Sequence, residues 1–208
     1  MIAVKVKICG ITNVEDALAA VEMGADLLGF NFYPESKRYI TLENALEIIK
    51  KLPTFVDTVG IFVNSDHENI RGIAKKSLLN WIQMHGDETP EFCDNLQWAS
   101  AKTIKAVRVE SPEDMERVNN YYTDAVLLDA FHPDEYGGTG ESFDWDLITN
   151  TNKRIILAGG ITPENAVEAI ETGVYGIDLC SGIESEPGRK DHEKMQELFE
   201  NIKHVRGS

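Results

Sequence analysis

The sequence predicts an α/β protein, a single closed (β/α)8 or TIM barrel of eight parallel strands whose active site lies at the C-terminal face of the strands. Three observations predict it. Short β-branched runs alternate with amphipathic helical stretches from one end of the chain to the other. Eight such units fit the 208 residues, which is lean beside the roughly 250 of a typical barrel. Strand candidates such as Ala125-Val126-Leu127-Leu128 and Ile155-Ile156-Leu157-Ala158 are unbroken apolar runs, as suits parallel strands covered on both faces. The rival is an open doubly wound sheet, which should carry a Gly-x-Gly-x-x-Gly turn after its first strand. The first turn here reads Cys9-Gly10-Ile11-Thr12-Asn13, so the barrel is preferred.

Taken in order, the first unit pairs a strand at Val4–Ile8 with a helix at Val14–Met23, and the second pairs Leu27–Phe32 with Leu42–Lys51. Thr58–Val63 and Glu68–Lys76 form the third, Trp81–Met84 and Glu91–Leu96 the fourth, Thr103–Val109 and Glu113–Tyr121 the fifth. The sixth strand is Ala125–Leu128, followed by a helical stretch from about Trp145. Ile155–Ala158 with Glu164–Thr172, then Gly176–Leu179 with Asp191–Val205, complete the count. No linker or low-complexity segment divides the chain, so residues 1–205 are expected to form one domain. Arg206-Gly207-Ser208 has the look of a cloning remnant and is given no weight.

Composition narrows the function. Twenty basic against thirty-five acidic side chains leave a formal charge of −15, with no basic block anywhere. Nucleic-acid partners are thereby disfavoured, because neutralising phosphate backbones requires clustered Lys and Arg. No apolar run reaches the roughly 18 residues of a membrane span, and the N-terminus lacks a signal-peptide pattern. A cytoplasmic protein acting on small molecules is expected, as monomer or homodimer. Cys9, Cys93 and Cys180 are far apart with no Cys-x-x-Cys spacing, and the five histidines show no ligand spacing. Neither a disulfide framework nor a metal site is expected, and no cofactor is implied.

In a closed barrel the reacting groups follow the strands on one face. That filter leaves Cys9, the Arg38 loop, Asn64, His85, Arg108, Asp129, Gly159-Gly160 and Cys180-Ser181-Gly182. Loops after strands 7 and 8 frequently bind phosphate in such folds. Here both are glycine-bearing: Leu157-Ala158-Gly159-Gly160 before a Thr162-Pro163 helix start, and Asp178-Leu179-Cys180-Ser181-Gly182. Either alone reads equally as an ordinary turn, and only the two together point to phosphate. A third cluster, Gly137-Gly138-Thr139-Gly140, lacks a Walker ending and suits either a closing loop or a plain connection.

Cys9 and Asp129, at the ends of strands 1 and 6, could flank a small substrate and move protons without a metal. Composition alone favours Cys9 as a buried small hydrophobe and leaves Asp129 equally a helix or loop cap. Arg38 could grip a carboxylate with its planar fork, with Tyr39 or Phe32 offering a ring face, or could simply pair with Glu35 on the surface. His85 could hold a ligand or cap a turn. Trp81, Trp98 and Trp145 are read as packing residues.

The motifs together are more specific than any one of them. Lys7-Ile8-Cys9-Gly10-Ile11-Thr12, Ser36-Lys37-Arg38-Tyr39, Gly60-Ile61-Phe62-Val63-Asn64, Gln83-Met84-His85-Gly86, Leu127-Leu128-Asp129, Leu157-Ala158-Gly159-Gly160, Ser181-Gly182-Ile183-Glu184 and Pro187-Gly188 follow one another along the chain. In this order the sequence resembles the phosphoribosylanthranilate isomerases, barrel enzymes of tryptophan biosynthesis, over essentially its whole length. The resemblance implies an Amadori rearrangement with Asp129 as general acid and Cys9 as the base that removes the C2′ proton. It also implies Arg38 on the anthranilate carboxylate, His85 and Asp178 near the reacting substrate, and Gly159, Gly160, Ser181 and Gly182 around the phosphate. Cys180 stands where the family usually has Ser.

Related histidine-pathway isomerases carry an aspartate at the end of strand 1, so Cys9 favours the tryptophan-pathway reaction over that alternative or a bifunctional form. A silent barrel that only binds phosphorylated metabolites would need neither Cys9 nor Asp129. Since the substrate is an anion and the chain is acidic, the sequence further predicts a small electropositive mouth at one end of the barrel.

Overall fold

Eight strands form and pair in sequence order: β1 (Lys5–Ile8), β2 (Leu27–Asn31), β3 (Asp57–Phe62), β4 (Trp81–Met84), β5 (Lys102–Val109), β6 (Ala125–Ala130), β7 (Ile155–Leu157) and β8 (Gly176–Leu179). Every neighbouring pair is parallel, and the pairing of Ile8 with Leu179 closes β8 onto β1. This computed structural model describes residues 3–96, 101–130, 142–148 and 151–207. Among them no helix is long and apolar enough to cross a membrane.

The helices are α1 (Val14–Met23), α2 (Leu42–Ile49), α3 (His67–Ser77), α4 (Pro90–Asp94), α5 (Pro112–Val118), α6 (Ala166–Glu171) and α7 (His192–Ile202). Polar side chains start most of them. Asn13 accepts from the Asp16 N–H, Thr41 from Asn44, Asp66 from Asn69 and Thr89 from Phe92. Each such cap is worth about 1 kcal/mol.

The helix expected from Trp145 is replaced by a short 3-10 turn, Trp145–Leu147. Its continuation, Ile148-Thr149-Asn150-Thr151-Asn152, is made of β-branched and Asn residues that form helices poorly. An unpredicted hairpin follows β8: β9 (Glu184–Glu186) pairs antiparallel with β10 (Arg189–Lys190). Pro187 leads into the turn and Gly188 takes its left-handed position at φ 83°. The C-terminal Arg206, set aside on sequence grounds, docks under the barrel, donating to the carbonyls of Val4 and Gly24 and to Asp26.

Alternation along the strands divides the core in two. Val6, Ile8, Leu28, Phe30, Phe62, Ile82, Met84, Val126, Leu128, Ile177 and Leu179 face outward onto the helices. Leu27, Val59, Ile61, Trp81, Ile104, Ala106, Ala125, Leu127, Ile156 and Ala158 fill the barrel interior. Each fully buried apolar side chain contributes about 1.5–3 kcal/mol. The period-2 rule then carries the inward rows upward. It aims Lys7 and Cys9 of the β1 row, Gln83 and His85 of the β4 row, Asp129 of β6, and Asp178 and Cys180 of the β8 row toward the C-terminal mouth.

Candidate active site

One pocket at that mouth is lined by Cys9, Arg38, His85, Asp129, Gly159, Gly160, Asp178, Ser181 and Gly182, together with Asn31, Ser36 and Cys180. All nine residues singled out in the sequence as catalytic or substrate-binding are therefore brought together. Asn64 and Arg108 are not among them: Asn64 Oδ1 accepts from the Asp87 N–H, and Arg108 pairs with the Asp87 carboxylate. The Gly137–Gly140 cluster and Trp98 lie outside the described residues.

Asp129 is buried and both its oxygens are engaged. Oδ1 accepts from the Ala130 N–H at 2.9 Å, and Oδ2 lies 3.1 Å from His85 Nε2. The other ring nitrogen, Nδ1, is 2.8 Å from the Gln83 amide nitrogen, so a line of contacts runs from the barrel interior to the carboxylate. Donation from the Gln83 amide would make Nδ1 the acceptor and leave the ring proton on Nε2, facing Asp129.

On the other side of the mouth, Lys7 Nζ binds Asp178 Oδ2 at 2.7 Å with both side chains buried. Burial pushes the Asp178 carboxyl up to about 7 against the pull of Lys7, and its Oδ1 has no hydrogen-bond partner among the described residues. Burial works against the charge of Lys7, yet Asp178 and Cys9 hold its pKa above the ordinary lysine value.

Cys180 follows Leu179 as Cys9 follows Ile8, so these thiols end adjacent strands side by side at the mouth. The neighbouring Cys180 and burial raise the Cys9 thiol well above its ordinary value, with Lys7 opposing. Cys9, helped by Lys190 and Arg38 and opposed by burial, in turn lowers Cys180 to about 7.

Arg38 is anchored across the mouth rather than lying on the surface. Its Nη2 donates to Glu184 Oε2 at 2.7 Å and its Nε reaches both carboxylate oxygens at 3.2 Å. Glu35, the alternative partner, instead accepts from the Tyr33 hydroxyl. Phe32 offers no ring face to a ligand, since it is buried in a stack on Phe62 with centroids 5.5 Å apart. The β9–β10 hairpin returns Lys190 to Glu184 Oε1 at 2.9 Å and to the Cys180 carbonyl at 3.2 Å.

The cations expected at the mouth are present, each in contact with a carboxylate: Lys7 faces Asp178, while Arg38 and Lys190 share Glu184. Gly159 and Gly160 both take left-handed backbone, φ 81° and 61°, which turns the chain after β7. A Cβ on Gly182 would lie 2.0 Å from the Ile161 carbonyl oxygen. The loops after β7 and β8 therefore abut backbone to backbone, a closeness only glycine permits.

Lys7, Asn31, Ser36, Glu184 and Lys190 were missed in the sequence. Inward alternation could have found Lys7, two residues before Cys9, and Asn31, two beyond Gly29. No local signal marks Glu184 or Lys190.

Fold and site together define a (β/α)8-barrel enzyme of the aldose–ketose isomerase class. The model of the family described as N-(5′-phosphoribosyl)anthranilate isomerase matches residues 6–201, and the chain belongs to that family. It is 47% identical over 204 residues to the N-(5′-phosphoribosyl)anthranilate isomerase of Trichlorobacter lovleyi, covering 96% of this chain and 98% of the relative. The crystal structure of phosphoribosyl anthranilate isomerase from Thermotoga maritima superposes with a TM-score of 0.90 at 44% identity, covering 97% of this chain and 99% of that one. A phosphoribosyl anthranilate isomerase solved in complex with reduced 1-(o-carboxyphenylamino)-1-deoxyribulose 5-phosphate gives 0.84 at 42% identity, again covering 97% and 99%.

Proposed function

We propose that Cys9 and Asp129 are the base and acid with which this chain performs its family's reaction in tryptophan biosynthesis. That reaction is the Amadori rearrangement of N-(5′-phosphoribosyl)anthranilate to 1-(2-carboxyphenylamino)-1-deoxyribulose 5-phosphate. Asp129, acting in its protonated form, gives its carboxyl proton to the furanose ring oxygen, and His85 Nε2, 3.1 Å from its Oδ2, orients the carboxyl. The ring opens to a Schiff base. Cys9, as thiolate, removes the C2′ proton, and the enolamine tautomerises to the ketone.

Arg38, held in plane by Glu184, receives the anthranilate carboxylate. The amides around Gly159-Gly160 and Ser181-Gly182 take the phosphate, and Asp178, whose Oδ1 has no partner among the described residues, lies beside the sugar. The observation that carries this reading is that one pocket gathers the inward residues closing β1, β4, β6 and β8 together with Arg38 and the two glycine loops. Every group comes from one chain, so the chemistry is served by a monomer or a homodimer alike. A reducing compartment, the cytoplasm, suits a mouth with two free thiols.

Following the fluorescence of phosphoribosylanthranilate, beside the histidine-pathway aminoaldose as second substrate, tests the reading. Consumption of the first and neglect of the second is expected. Binding without consumption would leave only a metabolite-binding barrel.

A further inference from the structure

A single thiolate suffices as the base, yet β1 and β8 bring two thiols to the same level. The Cys9 N–H donates to the Leu179 carbonyl at 2.8 Å, and the paired Ile8 and Leu179 are each followed by cysteine. Both sulfurs line the pocket, but their surroundings differ. Cys180 Sγ lies 4.0 Å from Lys190 Nζ and 3.8 Å from Glu184 Oε1. Cys9 faces Lys7 and Asp178, and Arg38 stands close to both sulfurs.

We propose that Cys180 is the proton partner of Cys9: the two sulfurs share one proton, and Cys180 takes it up so that Cys9 meets the substrate as thiolate. This rests on the reading of Cys9 as the base. In the resting site Lys190 and Arg38 hold the negative charge on Cys180, whose thiol is lowered to about 7, and the remaining proton sits on Cys9. An incoming carboxylate at Arg38 cancels part of the field that favours the anion on Cys180. The field of Lys7 on Cys9 is left in place, so the proton passes between two neighbouring groups of the same chemical kind.

The protons balance. Cys9 passes its proton to Cys180 Sγ, then takes the C2′ proton while the C–H electron pair enters the new C=C bond of the enolamine. The pair then holds two protons, and the surplus one restores Asp129, which gave its own to the ring oxygen. Cys180 acts through Cys9 and is a positioning residue.

The experiment is a pH titration of thiolate absorbance, with pH profiles of kcat and KM, on the parent protein and on Cys9→Ser, Cys180→Ser and Cys180→Ala. Burial pushes Cys93 up to about 12, so the thiolate signal below that pH belongs to the pair. One thiolate near pH 7 and a second only at much higher pH are expected in the parent protein. In Cys180→Ser the neutral-pH thiolate disappears and the acid limb of the kcat profile moves up by about one pH unit or more, a tenfold loss per unit on that limb. KM stays unchanged where Cys9 is fully ionised.

Cys180→Ala gives the same shift, because neither replacement can take up a proton. A purely structural role for Cys180 would scale kcat equally at every pH in both variants. That result, or a neutral-pH thiolate persisting in Cys180→Ser, overturns the proposal. Full activity in Cys9→Ser would overturn the base assignment instead, and it is recognised by a parent thiolate titration that still shows the pair.

Discussion

Lys7 Nζ and Asp178 Oδ2 stand 2.7 Å apart inside the barrel, on adjacent strands and almost wholly shielded from solvent. Two charges in such a place are costly to desolvate, and their attraction offsets that cost only while both are present. Cys9 sits directly above Lys7 in the inward row of β1, so the pair also sets the field at the proposed base.

Above about pH 7, where Asp178 is ionised in the parent protein, replacing Lys7 with Met should therefore destabilise the fold by about 3–5 kcal/mol, because the buried carboxylate loses its partner. The double variant Lys7→Met, Asp178→Asn should recover most of that loss. Urea denaturation of the two proteins checks it, and equal losses would mean that the pair is not the cause.

Asp178 also predicts a pH dependence of stability. Its folded pKa, about 7, lies above the ordinary 3.8, so the folded protein holds a proton that the unfolded chain releases. The resulting stabilisation is complete below about 3.8 and is lost as pH rises through about 7. In Asp178→Asn the decline attributable to this group disappears, and the difference in unfolding free energy between the two proteins should change with pH across that window. A difference that stays constant contradicts the assignment.

Glu184 holds Arg38 by Nε and Nη2 and holds Lys190 as well. Glu184→Gln weakens that anchorage without emptying the space. Substrate KM should rise by about tenfold, the worth of one charge-assisted hydrogen bond, with a smaller change in kcat. Steady-state kinetics decides it, and an unchanged KM would show that Arg38 does not need Glu184 to meet the carboxylate.

The abutting glycine loops predict competition by a simple anion. Millimolar inorganic phosphate should raise the apparent KM and leave kcat alone, and the effect should vanish in Gly182→Ala, where the new methyl meets the Ile161 carbonyl oxygen. Phosphate without effect on KM would place the anion site elsewhere.

Much of the site was legible because a parallel barrel makes it a local question. Strand ends can be read from apolar runs, and the inward residue at a strand's C-terminal end faces the mouth, so Cys9, His85 and Asp129 required no knowledge of distant contacts. Choosing Cys9 over Cys180 did depend on family resemblance, since both end inward rows. Lys7 was passed over because a lysine inside a strand reads as solvent-facing, whereas Asp178, 171 residues away, holds it in the interior. Glu184 was hidden for a similar reason: its partner Arg38 lies 146 residues earlier. The helical stretch expected from about Trp145 is cut to one 3-10 turn among the described residues, in keeping with the poor helix formers from Ile148 to Asn152.

The central claim is that Cys9 and Asp129 carry the proton transfers. Single-turnover fluorescence of phosphoribosylanthranilate mixed with excess Cys9→Ala, Asp129→Asn or Cys93→Ala enzyme tests it most directly. Each of the first two should bind substrate and consume it about 10²–10⁴ times more slowly than the parent protein, while Cys93→Ala turns over near the parent rate. Consumption at near-parent rate by either Cys9→Ala or Asp129→Asn would contradict the account.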